Sequence, residues 1–182
     1  AIRTGTVVIA ATKWAGRGSA GGAVDDADDA VTGADVVVTV TSADDPIVSA
    51  GAISDRALVC AVGATKPQRC ELDPELFGRA RAVVTDSLEG APGECGDLIR
   101  AVALGRTRWE DVVDLSDVLA GTVAVSGPDE RPGPLVFETQ GVAIQDVVAA
   151  ALVWRRAEHH SLEPVTDRSA IDRSATDQEA SR

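Results

Sequence analysis

ALVCAVGATKPQRCELD, residues 57–73, decides the fold. Ala57 to Val62 is an apolar run without polar alternation, the pattern of a strand buried on both faces of a parallel sheet. Gly63 ends the run, and Thr65-Lys66-Pro67 turns the chain out, because proline lacks a ladder N–H and pushes Lys66 towards extended geometry. Glu71 to Asp73 leads into Pro74, which suits a first helical position with Asp73 as N-cap. In an open α/β sheet, ligands sit outside the carboxyl end of such a strand, which places a site between Val62 and Arg69.

Working outward, further strands are expected at Thr6 to Ala11, Val36 to Thr41, Ala82 to Thr85 and Leu135 to Glu138. Helices are expected at Asp25 to Thr32, Pro74 to Ala80, Glu94 to Leu104, Val112 to Ala120 and Val142 to Glu158. The last is apolar nearly all round, which predicts burial between layers or against a partner. Strands alternating with helices at this spacing make a parallel α/β sheet.

Gly16, Gly18 and Gly21 form a G-x-G-x-x-G, but the first comes several residues after its strand and Gly22 interrupts the following segment. The stretch reads as a glycine-rich connector rather than a phosphate loop. The aspartates of Asp25 to Asp29 read as a solvated helix face, and no metal site is expected. His159 and His160 have no carboxylate placed to orient them. From Ser161 the chain is polar and repetitive and reads as disordered.

Acidic residues outnumber basic ones, 29 to 17, for a net charge of −12, and Lys13 and Lys66 are the only lysines. This charge disfavours nucleic acid and anionic membrane as partners. It fits a salt-adapted source, or a high-GC codon bias that exchanges Lys for Arg. Cys60, Cys70 and Cys95 make no C-x-x-C pair, so a reducing, cytoplasmic setting is expected, with Cys60 as a small buried hydrophobe. No run approaches a membrane span. The absence of methionine from the whole sequence points to a fragment of something longer.

Four segments carry a resemblance: GADVVVTVTS (Gly33 to Ser42), VCAVGATKPQRCELD (Val59 to Asp73), VVTDSLEGAPGECGDL (Val83 to Leu98) and VFETQGVAIQDVVAAALV (Val136 to Val153). With DVVDLSDVLAG (Asp111 to Gly121), they resemble the ornithine cyclodeaminase/mu-crystallin family in order and content. The resemblance implies a partial Rossmann-like parallel sheet flanked by helices, lacking the family's N-terminal substrate-binding and dimerisation half. The expected organisation is a poorly matching segment (strand plus glycine-rich connector) over 1–29, an NAD(P)-binding domain over 30–160 and a tail over 161–182.

Members of this family move hydride between a nicotinamide cofactor, NAD or NADP, and the Cα of an amino acid or imine. The resemblance implies ornithine-to-proline conversion, ketimine reduction or an alanine dehydrogenase reaction, in a chain that is a homodimer when full length. A non-catalytic remnant or binding module of the same fold is the alternative. Carried over by position, Thr41, Val59, Cys60, Ala61, Val62 and Gly63 line the cofactor, with Thr139 and Gly141 near the nicotinamide. Arg69 joins them as the end of the loop read above. Cyclodeaminases carry a proton-transferring Asp where this chain has Thr65, the expected catalytic position. A hydroxyl is not a general base near neutral pH, which favours imine reduction over cyclisation.

Overall fold

Among the described residues, six short segments pair in parallel: β1 (Val7–Ala11), β2 (Val36–Val40), β3 (Leu58–Ala61), β4 (Ala82–Thr85), β5 (Val112–Asp114) and β6 (Leu135–Glu138). Across the sheet the order is β1-β2-β3-β6-β4-β5, so the last strand in sequence lies at the centre. The connecting helices are α1 (Ala27–Val31), α2 (Glu75–Arg79), α3 (Ala91–Glu94), α4 (Gly96–Ala103) and α5 (Leu115–Ala120), and α6 (Ala143–His159) follows β6. This computed structural model describes residues 7–11 and 26–159. Gly16, Gly18, Gly21 and the polar segment from Ser161 lie outside them. The chain divides into two compact units between Val142 and Ala143.

The register explains the core of the first unit. Val37, Val59, Val136, Val83 and Val112 form one row across β2, β3, β6, β4 and β5, and all are buried. Val31 of α1, Leu76 and Phe77 of α2, and Leu98 and Ala101 of α4 pack against this row. One step along the same face, the row becomes Thr39, Ala61, Glu138 and Thr85, still buried but largely polar. The core therefore changes from aliphatic to polar just beneath the carboxyl edge.

The opposite face departs from the sequence reading. Leu58 and Cys60 of β3 are only half-buried, and Val40 of β2 is 43% exposed. An apolar run thus does not by itself mean two covered faces: β3 alternates, with Val59 and Ala61 taking the helix-packed side. Val112 to Ala120 is also corrected. Val112–Asp114 pairs with β4 as a strand, and Asp114 then caps α5 by accepting from the Ser116 amide at 2.8 Å. Gly121 ends α5 in the left-handed conformation, φ 73°. Asp73 behaves as read, its carboxylate accepting from the Glu75 amide at 3.0 Å while Pro74 is already helical.

Helix α6, described by itself, exposes Ile144, Val147, Val148, Leu152, Val153 and Trp154 by 50% to 67%. So large an apolar surface favours association. The chain is expected to sediment as more than a monomer in dilute buffer, and a compact monomer there would contradict this. No described helix is long and apolar enough to cross a membrane.

Candidate functional site

Because β2, β3 and β6 are neighbours, the loops that follow them emerge side by side. The ladder continues just past the strands, with the Val62 amide donating to Thr39 O at 2.9 Å and the Thr139 amide to Ala61 O at 3.0 Å. Thr41, Gly63 to Arg69, and Thr139 to Gly141 therefore share one edge, the carboxyl edge where a parallel sheet binds ligands.

Two carboxylates hold this edge in shape. Glu71, fully buried, accepts from the Thr39 hydroxyl at 2.9 Å, the Gly63 amide at 2.8 Å and the Thr41 amide. It thereby ties the end of β2 to the end of β3. Gly63 has to be glycine here, since a Cβ would run into the Thr41 carbonyl oxygen and Glu71 Oε1. Asp86, past the end of β4, accepts from the Thr139 hydroxyl at 2.6 Å, the Gln140 amide at 3.2 Å and the Gly141 amide at 3.0 Å. That fixes the turn after β6, in which Gly141 takes φ 77°.

The loop after β3 is braced from below. The Thr65 amide donates to Gly63 O at 2.9 Å, the Arg69 amide to Lys66 O at 2.9 Å, and the Gly96 amide at the start of α4 to Ala64 O at 3.0 Å. Thr65 and Lys66 are left exposed, while Arg69 is half-buried.

Beneath the edge lies a layer of buried acids. Asp97, in the first turn of α4, accepts from the Glu71 amide at 2.8 Å and the Leu72 amide at 3.1 Å. Its second oxygen and Glu138 Oε1 are buried without a hydrogen-bond partner in the structure. Burial pushes the Asp97 carboxyl up to about 6. Burial, reinforced by the charge of Asp97, raises Glu138 well above the ordinary carboxylate range. The Cys95 thiol sits 3.3 Å from Glu138 Oε2 and donates to it. Burial raises the thiols of Cys60, Cys70 and Cys95, so none is poised as a thiolate nucleophile.

Of the residues singled out in the sequence, Thr41, Gly63, Thr65, Thr139 and Gly141 converge on the edge, with Val62 half-buried behind them and Arg69 closing the loop. Val59 and Ala61 point into the core, at 0% and 1% exposure, and offer a ligand no side-chain surface. Cys60 faces the other side of the sheet. The sequence reading does not single out Glu71, Asp86, Asp97 or Glu138. Their one sequence signal is an acid closing an apolar run, as in Leu135 to Glu138. Among the described residues no group of three or more His, Cys, Asp or Glu is arranged to hold a metal. Two open cavities, about 420 Å³ between α1 and the start of α2 and about 390 Å³ beside Arg81, Arg106 and Arg131, do not include the residues at the edge.

Residues 7–161 match the model of the ornithine cyclodeaminase/mu-crystallin family. The ketimine reductase mu-crystallin of Mus musculus is 37% identical over 126 residues, 69% of this chain and 37% of that protein. The Delta(1)-pyrroline-2-carboxylate/Delta(1)-piperideine-2-carboxylate reductase of Azospirillum brasilense is 39% identical over 128 residues, 68% of this chain and 37% of that one. Among solved structures, the Thermococcus litoralis Delta(1)-pyrroline-2-carboxylate reductase, in complex with NADH and L-proline, superposes with a TM-score of 0.67 at 28% identity, covering 76% of this chain and 42% of that one. The chain spans just over a third of the length of the curated relatives it matches.

Proposed function

The chain belongs to the ornithine cyclodeaminase/mu-crystallin family, and from that premise we propose that it forms the dinucleotide-binding part of an enzyme that reduces cyclic imines of amino acids. The observation that carries the reading is the convergence of Thr41, Gly63 to Thr65 and Thr139 to Gly141 on one carboxyl edge, with Thr65 exposed at its mouth.

The residues present fit NAD or NADP. A Cβ built on Gly141 meets nothing within 4 Å, so a flat ring has room to approach the backbone after β6. The turns on either side are fixed by Glu71 and Asp86 before any ligand arrives, which lowers the ordering cost of binding. No phosphate contact is assigned to Gly16, Gly18 or Gly21. Bound nicotinamide would supply the hydride. The chain's own contribution at that end is the Thr65 hydroxyl, which donates or accepts one hydrogen bond to the substrate nitrogen and orients it. It does not take up a proton near neutral pH. Reduction of a preformed imine asks no more of this position, whereas ornithine cyclisation needs a group that moves a proton from the substrate ammonium.

The test has two arms. NADH and NADPH are titrated against the chain, and turnover of Delta(1)-pyrroline-2-carboxylate is compared with that of ornithine in a full-length version that carries the family's substrate-binding half. Imine reduction is expected to be the faster, and Thr65→Asp to shift the ratio towards ornithine by about tenfold or more, within the usual contribution of a general base. Proline formation from ornithine outpacing imine reduction, with Thr65→Asp without effect, would remove the role given to Thr65. Dinucleotide binding with no turnover of either substrate supports instead a binding module that keeps the fold without the chemistry.

A further inference from the structure

Glu71 does more than fill the core, and we infer that it is the positioning residue for the dinucleotide-binding edge, setting the two strand ends on which the ligand rests. The inference rests on the dinucleotide reading above. Glu71 reaches no solvent and, among the described residues, pairs with no guanidinium or ammonium, so it is not a catalytic residue. Its oxygens instead accept from three donors on two strands: the Thr39 hydroxyl and Thr41 amide of the β2 end, and the Gly63 amide of the β3 end. Its own backbone extends the brace, the amide donating to Asp97 Oδ1 at 2.8 Å and the carbonyl accepting from the Ile47 amide at 2.8 Å.

Both amides turned inward towards Glu71 belong to trans peptides, so the Val40 and Val62 carbonyls face away from it. The carboxylate thus sets the orientation of the two peptide groups that open the candidate site. Gly63 is built around it, since any Cβ would displace Glu71 Oε1. Thr41, at the end of β2, turns its own hydroxyl elsewhere, accepting from the Ala43 amide at 3.2 Å.

Glu71→Gln separates this role from simple filling, because it keeps the shape and replaces one acceptor oxygen with a donor. Whichever way the amide is turned, its NH2 faces the Thr41 or the Gly63 amide, and that peptide must rotate or lose its bond. Thr39→Val is the companion variant: it removes one bond to the same carboxylate but leaves both backbone amides held. Amide resonances of the labelled 182-residue chain are followed as NADH is added, well below the melting temperature of each variant.

Glu71→Gln is expected to shift the Thr41 and Gly63 amide resonances upfield, as a charge-assisted bond is lost. It should also raise the NADH dissociation constant at least about tenfold. Thr39→Val should lower stability and leave the dissociation constant within about twofold. Equal NADH affinity in wild type and Glu71→Gln would overturn the positioning role while leaving the proposed function intact. Equal weakening by Thr39→Val would overturn it too, by showing a general loss of stability. Wild type that binds no dinucleotide overturns the proposed function, and this role with it.

Discussion

Gly96→Ala is expected to cost about 3 kcal/mol or more, the upper end for overpacking a tight site. The Cβ would land on the carbonyl oxygens of Lys66 and Arg69, which are backbone atoms and cannot swing aside as a side-chain tip would. To make room, α4 has to lift away from the loop after β3, breaking the Gly96 amide bond to Ala64 O. That movement also loosens Asp97, whose carboxylate holds the Glu71 and Leu72 amides one residue further on. In a chain of this size the loss corresponds to a melting point lower by roughly 10 °C. Gly93→Ala is the matched control, because a Cβ there meets nothing within 4 Å and the same Gly-to-Ala exchange stiffens the unfolded chain. A Gly96→Ala melting point equal to that of Gly93→Ala would mean that the loop yields without resistance.

Raising the pH should weaken the fold, the reverse of what paired surface carboxylates produce. Asp97 is pushed up to about 6 from an ordinary 3.8 by burial, and Glu138 lies well above its ordinary range for the same first reason. Between the unfolded and folded values the native state holds more protons than the unfolded chain. Stability from these groups is complete below about pH 4 and is lost as pH rises through about 6, with Glu138 extending the window upward. For Asp97 alone the whole change is about 3 kcal/mol.

Asp28 and Asp114 are held below the usual range by hydrogen bonds from Ser49 and Ser116, and Asp129 by Arg56, which gives them the opposite sign. They lie at the surface, where solvent screening leaves little net effect. The groups facing Asp97 and Glu138 are Glu71, Cys70, Cys95 and, at greater reach, Asp86, all acids or thiols. Arg100 acts on Cys70, and its own ion pair is with Asp45. Urea midpoints taken from about pH 5.2, above the isoelectric point near 4.5, to about pH 8 should fall steadily. Asp97→Asn should flatten much of that slope. A midpoint that climbs over the range would show that the buried acids are charged and stabilised in the fold.

What could be read in the sequence follows the range of the forces involved. Apolar runs and their breakers depend on near neighbours, and Ala82–Thr85 and Leu135–Glu138 are strands at the residues expected. The capping of α2 by Asp73 is likewise a local matter. The strand in Val112–Asp114 reads as helix in the sequence because its pattern is short and its decisive partner, β4, lies nearly 30 residues away. The same holds at the site. Which face of β3 is covered depends on where α2 and α4 pack, so Val59 and Ala61 could not be separated from the residues at the edge. Glu71 lies inside the stretch that decides the fold, yet its partner Thr41 is 30 residues away, and Asp86 reaches 55 residues to Gly141. Hydrogen bonds over such separations leave no periodic trace.

The sheet order has a consequence for how the protein is made. Strand β6 pairs with β3 on one side and β4 on the other, although it is synthesised after both. Until Leu135–Glu138 leaves the ribosome, nothing joins β1-β2-β3 to β4-β5, and the inner edge of each group lacks its partner strand. The final strand works as a keystone, and the nascent chain waits for it. A fault in Leu135–Glu138 is therefore felt by both groups at once, and by the candidate site that straddles them.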